Sequence, residues 1–396
     1  MIPKTICMAD RHSIGPDPLW SLGGARIVRM IHTTLPAPKI RQIDGIQILR
    51  AVAVFLVTWL HAGQALGSWR VVELPHFMAF GIDIFFVISG FIMASVLLRN
   101  TETAGKFFKR RVVRIFPIYW VFAFMVYARL AHSHGSLLLN YLPSFLLVPG
   151  LYPRYPLLLA VSWTLVFEMF FYYTLSAILL FTKRAVPAAI LILGIAAFIP
   201  GPPVLTSPIL LEFVAGMVVA IAFYRLGKRR WGILLLLAGA VIALYMQAHP
   251  EHAGVQGIDL VLSAKAGVMQ RILTWGISAT LIVAGTVFWS PSTQNLPARI
   301  AVAVGNSSYS AYLLSSIMIE FTCRALIRFA RPSLAAEIVV QILVVATVLF
   351  AGWLSYQFLE WPMIHSLNNL RLQPVWQRLK RSWYSDSQET LEHWQD

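Results

Sequence analysis

Charge is scarce in this sequence: 12% of its 396 residues are Asp, Glu, Lys or Arg, where soluble domains carry roughly 25%. Acidic residues are the rarer sign, 17 against 32 basic ones, which leaves a net charge of +15. Cysteine is nearly absent. Cys7 and Cys323 are the two present, so neither a disulfide framework nor a cysteine-based metal cluster is expected. The period-two alternation of a membrane β-barrel is missing. Also missing from Gly232–Met246 and Ile277–Trp289 is the polar face that a soluble helix shows every 3.6 residues.

What is present is long apolar sequence, with 58% of residues hydrophobic. A run of about 20 apolar residues crosses roughly 30 Å of hydrocarbon as a helix. A helical bundle then satisfies every backbone amide inside lipid. The expected fold is all-α, a polytopic transmembrane bundle of about ten spans. In a soluble protein the positive charge would point to nucleic acid. In this one the lipid bilayer is the expected partner and nucleic acid is not, because basic residues collect in cytoplasmic loops.

Residues 1–42 read as a polar N-terminal tail carrying Lys4, Arg11, Arg26, Arg29, Lys39 and Arg41. They lack an apolar stretch followed by a small-residue cleavage site, so no signal peptide is expected. Met30 is an alternative start, because ordered patterning begins only near Ile43. The membrane domain is expected over 43–363 and a cytoplasmic tail over 364–396. Spans are expected near 44–65, 79–98, 113–131, 162–181, 185–200, 207–225, 231–247, 271–289, 299–322 and 336–359. Leu137–Val148 is too short to cross, and Pro143 is expected to interrupt it, which suits a re-entrant or interfacial segment. Both termini are expected in the cytoplasm. That orientation puts Lys106, Lys109, Arg110, Arg111 and Arg114, the pair Lys183 and Arg184, and Arg225, Lys228, Arg229 and Arg230 inside. Arg324, Arg328 and Arg331 run against it.

Charged side chains inside a span are functional candidates. Arg50 and His61 lie in the first span with ten residues between them. Eleven steps place them roughly 16 Å apart along a helix axis, on nearly the same face. Histidine suits proton transfer at neutral pH. The plain alternative is an interfacial histidine satisfied by its neighbours. Arg50 cannot easily lose its charge, so it needs a counterion or an anionic ligand. Arg111 and Arg114, three residues apart, are expected at a cytoplasmic helix start, where two guanidinium forks suit a phosphate. An ordinary positive-inside anchor explains such a cluster too. Glu168, inside the fourth span, needs a partner, and Trp163 suits the interface. For Asp83, Glu212 and Glu360, a cap or salt bridge explains the charge at least as well as function.

Six stretches resemble acyltransferase family 3, the membrane proteins that include exopolysaccharide-production and O-antigen acetyltransferases. They are Ile43–Ala51 through His61, with its Arg, ten residues, His pattern; Phe80–Phe91; Arg111–Trp120, with Arg-x-x-Arg; Ser162–Leu165 with Glu168; Ser308–Leu314; and Leu354–Pro362. The likeness runs in order from about 43 to 363. It departs at Ser315, where members often have His, and the soluble hydrolase-like domain fused to some relatives is not expected in the short C-terminal tail.

The resemblance implies transfer of an acyl group, acetyl or a larger one, from a coenzyme A thioester to a hydroxyl of a cell-surface or exported glycan. Acetyl-CoA or another acyl-CoA is then a co-substrate, and no bound cofactor or metal is expected. His61 is the implied base or acyl acceptor, with Arg50 and Glu168 as its catalytic companions. Arg111 and Arg114 would bind the donor phosphates. Trp163 suits stacking on a sugar, and Tyr309 and Glu360 join the substrate-binding candidates. The expected setting is the bacterial cytoplasmic (inner) membrane. Homo-oligomers or association with polysaccharide-synthesis machinery are compatible with it. The rival is a transporter of a glycan or lipid-linked sugar without chemistry, which would favour an internal repeat. None is visible between the two halves.

Overall fold

The computed structural model describes residues 43–71, 75–99, 102–134, 138–148, 154–252, 254, 264–290, 293–329 and 331–369. The expected N-terminal tail with Cys7 and Met30, and residues 370–396 of the C-terminal tail, lie outside the described residues. Among the described residues the chain forms helices and no strand. In chain order these are α1 (Asp44–Leu66), α2 (Gly81–Arg99), α3 (Ala104–His134), α4 (Leu138–Leu146), α5 (Trp163–Phe181), α6 (Ala185–Ala196) and α7 (Leu210–Leu226). There follow α8 (Gly232–Ala248), α9 (Lys265–Arg271), α10 (Ile277–Trp289), α11 (Leu296–Asn306), α12 (Ser308–Leu326), α13 (Leu334–Ser355) and α14 (Trp361–Asn369). A π-turn at Ile272–Gly276 joins α9 to α10, and another at Tyr356–Glu360 joins α13 to α14.

Seven helical stretches are long and apolar enough to cross a membrane: Asp44–Leu66, Phe77–Arg99, Ala104–His132, Ala160–Phe181, Lys265–Trp289, Ser308–Phe329 and Leu334–Asn369. The segments near 185–200, 207–225 and 231–247 are also helical, as α6, α7 and α8, with 12, 17 and 17 residues. Large apolar side chains point outward from these helices. Phe181, Leu244 and Phe350 are 89%, 70% and 61% exposed. Asp83, Glu212, Arg271 and Glu360 are buried instead. Apolar surface outside and charge inside is the inverse of a water-soluble protein, and it suits lipid as the outer solvent.

Backbone-to-backbone approach holds the centre. Gly90 on α2 and Gly216 on α7 face each other's helix so closely that a Cβ on Gly90 would strike the Phe213 carbonyl, and one on Gly216 the Val87 carbonyl. With no hydrophobic effect between helices in lipid, such small-residue contacts let dispersion do the joining. Ser278 of α10 adds a hydrogen bond to the Gly239 carbonyl of α8 at 2.7 Å.

Three sequence expectations need correction. The span expected at 299–322 is two helices, α11 and α12, separated at Ser307. Asn295 caps α11 by accepting from the Ala298 N–H at 2.9 Å, and Pro297 sits in its first turn, both ordinary helix-start signals. Pro143 does not interrupt its segment, since α4 runs through it. Side chains of α3 hold the end of α4: the Tyr119 hydroxyl donates to the Ser144 carbonyl at 2.8 Å and the Trp120 indole to the Phe145 carbonyl at 2.9 Å. Third, α3 begins at Ala104 rather than near 113 and passes straight through Pro117. Arg111 and Arg114 therefore lie about two and three turns inside a helix. Their backbone N–H groups are spent within the helix, so only their side chains can hold an anion.

Candidate active site

Two of the cavities among the described residues hold the charged residues of the first span. The first, of about 630 Å³, is lined by Arg50, Arg110, Arg111, Arg114, Glu168, Tyr172 and Tyr309, among others. Its rim reaches the surface at the exposed residues Arg110 and Asn368. The second, of about 570 Å³, is lined by His61, Gln64, Trp163, Ser315, Ser316 and Glu320, among others. A single helix, α1, thus carries Arg50 into one cavity and His61 into the other.

The arginine cavity has more cation than anion. Arg114 is neutralised by an ion pair with Glu360, which is fully buried. The π-turn brings Glu360 there, and Ser310 Oγ donates to its other oxygen at 2.6 Å. The Arg114 guanidinium also lies 5.8 Å from the centre of the Tyr309 ring, whose hydroxyl donates to the Ile115 carbonyl at 2.9 Å. Arg50 has a hydrogen bond of 3.3 Å to Gln47 Oε1 and, among the described residues, no carboxylate at ion-pair distance. Arg111 lies over the rings of Phe107 and Tyr172, at 5.7 and 5.9 Å, and its buried Nε has no hydrogen-bond partner. Glu168 accepts from Ser89 Oγ at 3.1 Å and from the Tyr172 hydroxyl. Two guanidinium groups with no carboxylate at ion-pair distance among the described residues, inside a membrane-type bundle, suit an anion.

The histidine cavity has a different character. His61 Nδ1 is 3.0 Å from Gln64 Oε1. In the tautomer with the proton on Nδ1, that N–H donates to the amide oxygen and Nε2 is the basic nitrogen. Trp163 is 6% exposed and packs edge-on against Phe167 and Phe86. Ser315 Oγ is turned back onto the Tyr312 carbonyl at 2.6 Å, while Ser316 Oγ has no partner. Cys323, a free buried thiol, contacts the Ala62 carbonyl at 3.8 Å.

A third group of charges stands apart from both cavities. Arg271 grips Asp83 with two bonds, Nε to Oδ1 at 3.0 Å and Nη2 to Oδ2 at 2.5 Å, and donates to the Ala79 carbonyl at 3.1 Å. Glu212 lies beside Asp83, with one oxygen unpartnered. Among the described residues no group of His, Cys, Asp and Glu could hold a metal ion.

Sequence reasoning missed Gln47, Gln64 and Tyr172, though each is three or four residues from Arg50, His61 or Glu168 on the same helix face. It also missed Ser89, Ser310 and Arg271. These reach their partners from distant elements, although Ser89 and Ser310 lie in stretches that carry the family resemblance and Arg271 opens an expected span.

An all-helical bundle with an apolar exterior and charged internal cavities is a multi-pass membrane protein. The acyltransferase domain family, acyltransferase family 3, matches residues 43–357, and the chain belongs to that family. It is therefore a membrane acyltransferase. It is 30% identical over 264 residues to the exopolysaccharide production protein ExoZ of Rhizobium meliloti (strain 1021), covering 62% of this chain and 78% of that one. It is also 30% identical over 167 residues to nodulation protein 10 of Rhizobium leguminosarum bv. viciae, covering 35% and 43% of the two chains. No solved structure matches the chain.

Proposed function

We propose that the protein transfers an acyl group, acetyl in the simplest case, from a coenzyme A thioester to a hydroxyl of an exported or cell-surface glycan. The observation that carries this reading is the pair of guanidinium groups, Arg50 and Arg111, with no carboxylate at ion-pair distance among the described residues, in a cavity that opens at Arg110 and Asn368. Coenzyme A is a polyanion with a long flexible arm. Its phosphates would meet Arg110 and Arg111 at the mouth, and its arm would extend past Arg50 and Glu168. The glycan would enter the second cavity. Its hydroxyl is a weak nucleophile until a base removes the proton, and His61 Nε2 is the base in this reading. The sugar oxygen attacks the thioester carbonyl, the C–S bond breaks, and the proton from the hydroxyl ends on the departing thiol. In the two-step variant His61 first takes the acyl group on Nε2 and then yields it to the sugar. The relative whose name carries exopolysaccharide production supports the choice of acceptor. The basic residues support a cytoplasmic arginine cavity in a bacterial inner membrane.

The test uses the purified protein in lipid nanodiscs with acetyl-CoA and polysaccharide from the native strain. Appearance of free thiol with acetylated glycan, lost in His61→Ala but not in the wild type, is the expected result. Transfer retained in a well-folded His61→Ala protein removes His61 from the chemistry. Glycan movement with no consumption of acetyl-CoA would instead favour transport.

A further inference from the structure

The two cavities have two wall residues in common. Ile82, in the first turn of α2, and Tyr312, on α12, line both. Both are buried, at 5% and 7% exposure. Tyr312 is held by its hydroxyl, which donates to the Val161 carbonyl at 2.7 Å and lies 2.8 Å from Thr164 Oγ1. Val161 lines the histidine cavity and Thr164 the arginine cavity, so the tether is fixed at the boundary between the two. The Phe85 ring, 6.2 Å away centre to centre, backs the Tyr312 ring from the arginine side.

We propose that Ile82 and Tyr312 form an aperture between a donor chamber and an acceptor chamber, and that its width sets which acyl groups the enzyme transfers. The inference rests on the acyl-transfer reading and adds to it the residues that determine donor specificity. Arg50 and His61 are roughly 16 Å apart along α1. The acyl carbonyl must therefore come level with the shared wall before His61 can act. The acyl chain, which lies beyond that carbonyl at the leading end of the donor, has to pass, or lodge between, an isoleucine and a tethered tyrosine. One methylene against a packed apolar wall changes rate about 10- to 200-fold. A two-carbon acyl group fits such an aperture better than a four-carbon one. The hydroxyl tether also keeps the tyrosine from swinging aside to admit a longer chain.

The experiment measures acyl groups added to the strain's own polysaccharide by membrane vesicles supplied with acetyl-CoA or butyryl-CoA, read by mass spectrometry as a butyryl-to-acetyl ratio. Because both donors are tested on one preparation, loss of folded protein cancels from the ratio. Ile82→Ala is expected to raise the ratio at least tenfold, Ile82→Val by a smaller factor. Tyr312→Phe, which keeps the ring but removes its tether, is expected to raise it as well. An unchanged ratio in Ile82→Ala with acetyl transfer retained overturns the proposal. If Ile82→Ala transfers neither group, the same criterion applied to Ile82→Val decides. A wild-type protein that transfers neither group refutes the acyl-transfer reading itself, a result separate from an unaltered ratio.

Discussion

Replacing Arg111 by alanine should cost donor binding without costing the fold, whereas replacing Arg114 should cost both. The difference follows from their partners. Among the described residues Arg111 has no ion pair and its Nε no hydrogen-bond partner, and it lies over the faces of Phe107 and Tyr172. Two such cation–π contacts are worth about 1–2 kcal/mol together. A hydrogen bond to a charged group contributes about 1.5–3 kcal/mol, so losing one phosphate contact weakens binding about 10- to 150-fold. Arg114 neutralises the fully buried Glu360. Removing one member of a buried pair costs about 3–5 kcal/mol, because the other charge is left without compensation. The assay is acetyl-CoA binding by calorimetry in detergent, beside thermal unfolding of the same samples. Arg111→Ala is expected to bind at least tenfold more weakly with a melting temperature close to wild type. Arg114→Ala is expected to melt well below it. Arg111→Lys should recover part of the binding, because charge remains while the planar fork is lost. Wild-type affinity in Arg111→Ala would refute the assignment of that side chain to the donor. Equal destabilisation by both changes would show that Arg111 is an anchor and not a receptor.

Three further outcomes follow from the same structure. Asp83→Ala removes the carboxylate that grips the buried Arg271 with two bonds and should destabilise the protein by about 3–5 kcal/mol. The double change Asp83→Leu with Arg271→Met should recover most of that, read as monodisperse protein after heating in detergent. Gln64→Leu removes the acceptor that fixes the His61 tautomer, so turnover should fall several-fold while KM for the acyl-CoA stays put. Gln64→Glu, which still accepts, should retain most of the rate. Gly216→Leu forces α2 and α7 apart at the Val87 carbonyl and should sharply reduce the yield of folded protein, where Gly194→Leu, with open space around it, should not.

The sequence conveyed the class of fold through what its apolar runs exclude, and it marked Arg50, His61 and Glu168 because charge inside an apolar run needs a reason. Hydropathy averages over a window, so it could not see the break at Ser307 or that α3 starts nine residues before its apolar part. The error moved Arg111 and Arg114 from a helix start into a helix interior. Periodicity placed Arg50 and His61 on one face at two depths, and the two cavities lie along that face. It could not reveal which residues the cavities share, because Ile82 and Tyr312 come from α2 and α12 and line both cavities only once the chain is folded. Glu360 shows the same limit. Its partner Arg114 is 246 residues away, and nothing local distinguishes it from a helix-end carboxylate.

The π-turn at Tyr356–Glu360 makes this enzyme sensitive to length in an unusual place. A π-turn holds one residue more than the α-helix it interrupts, and each residue turns a helix by about 100°. The surplus residue is what brings Glu360 to Arg114 while Phe358, two positions earlier, is 72% exposed. Shortening this turn by one residue would restore a regular helix and rotate everything beyond it, taking a carboxylate toward lipid and Asn368 away from the cavity mouth. Deletion there should therefore be worse than most substitutions, although no single side chain in Tyr356–Leu359 carries the effect.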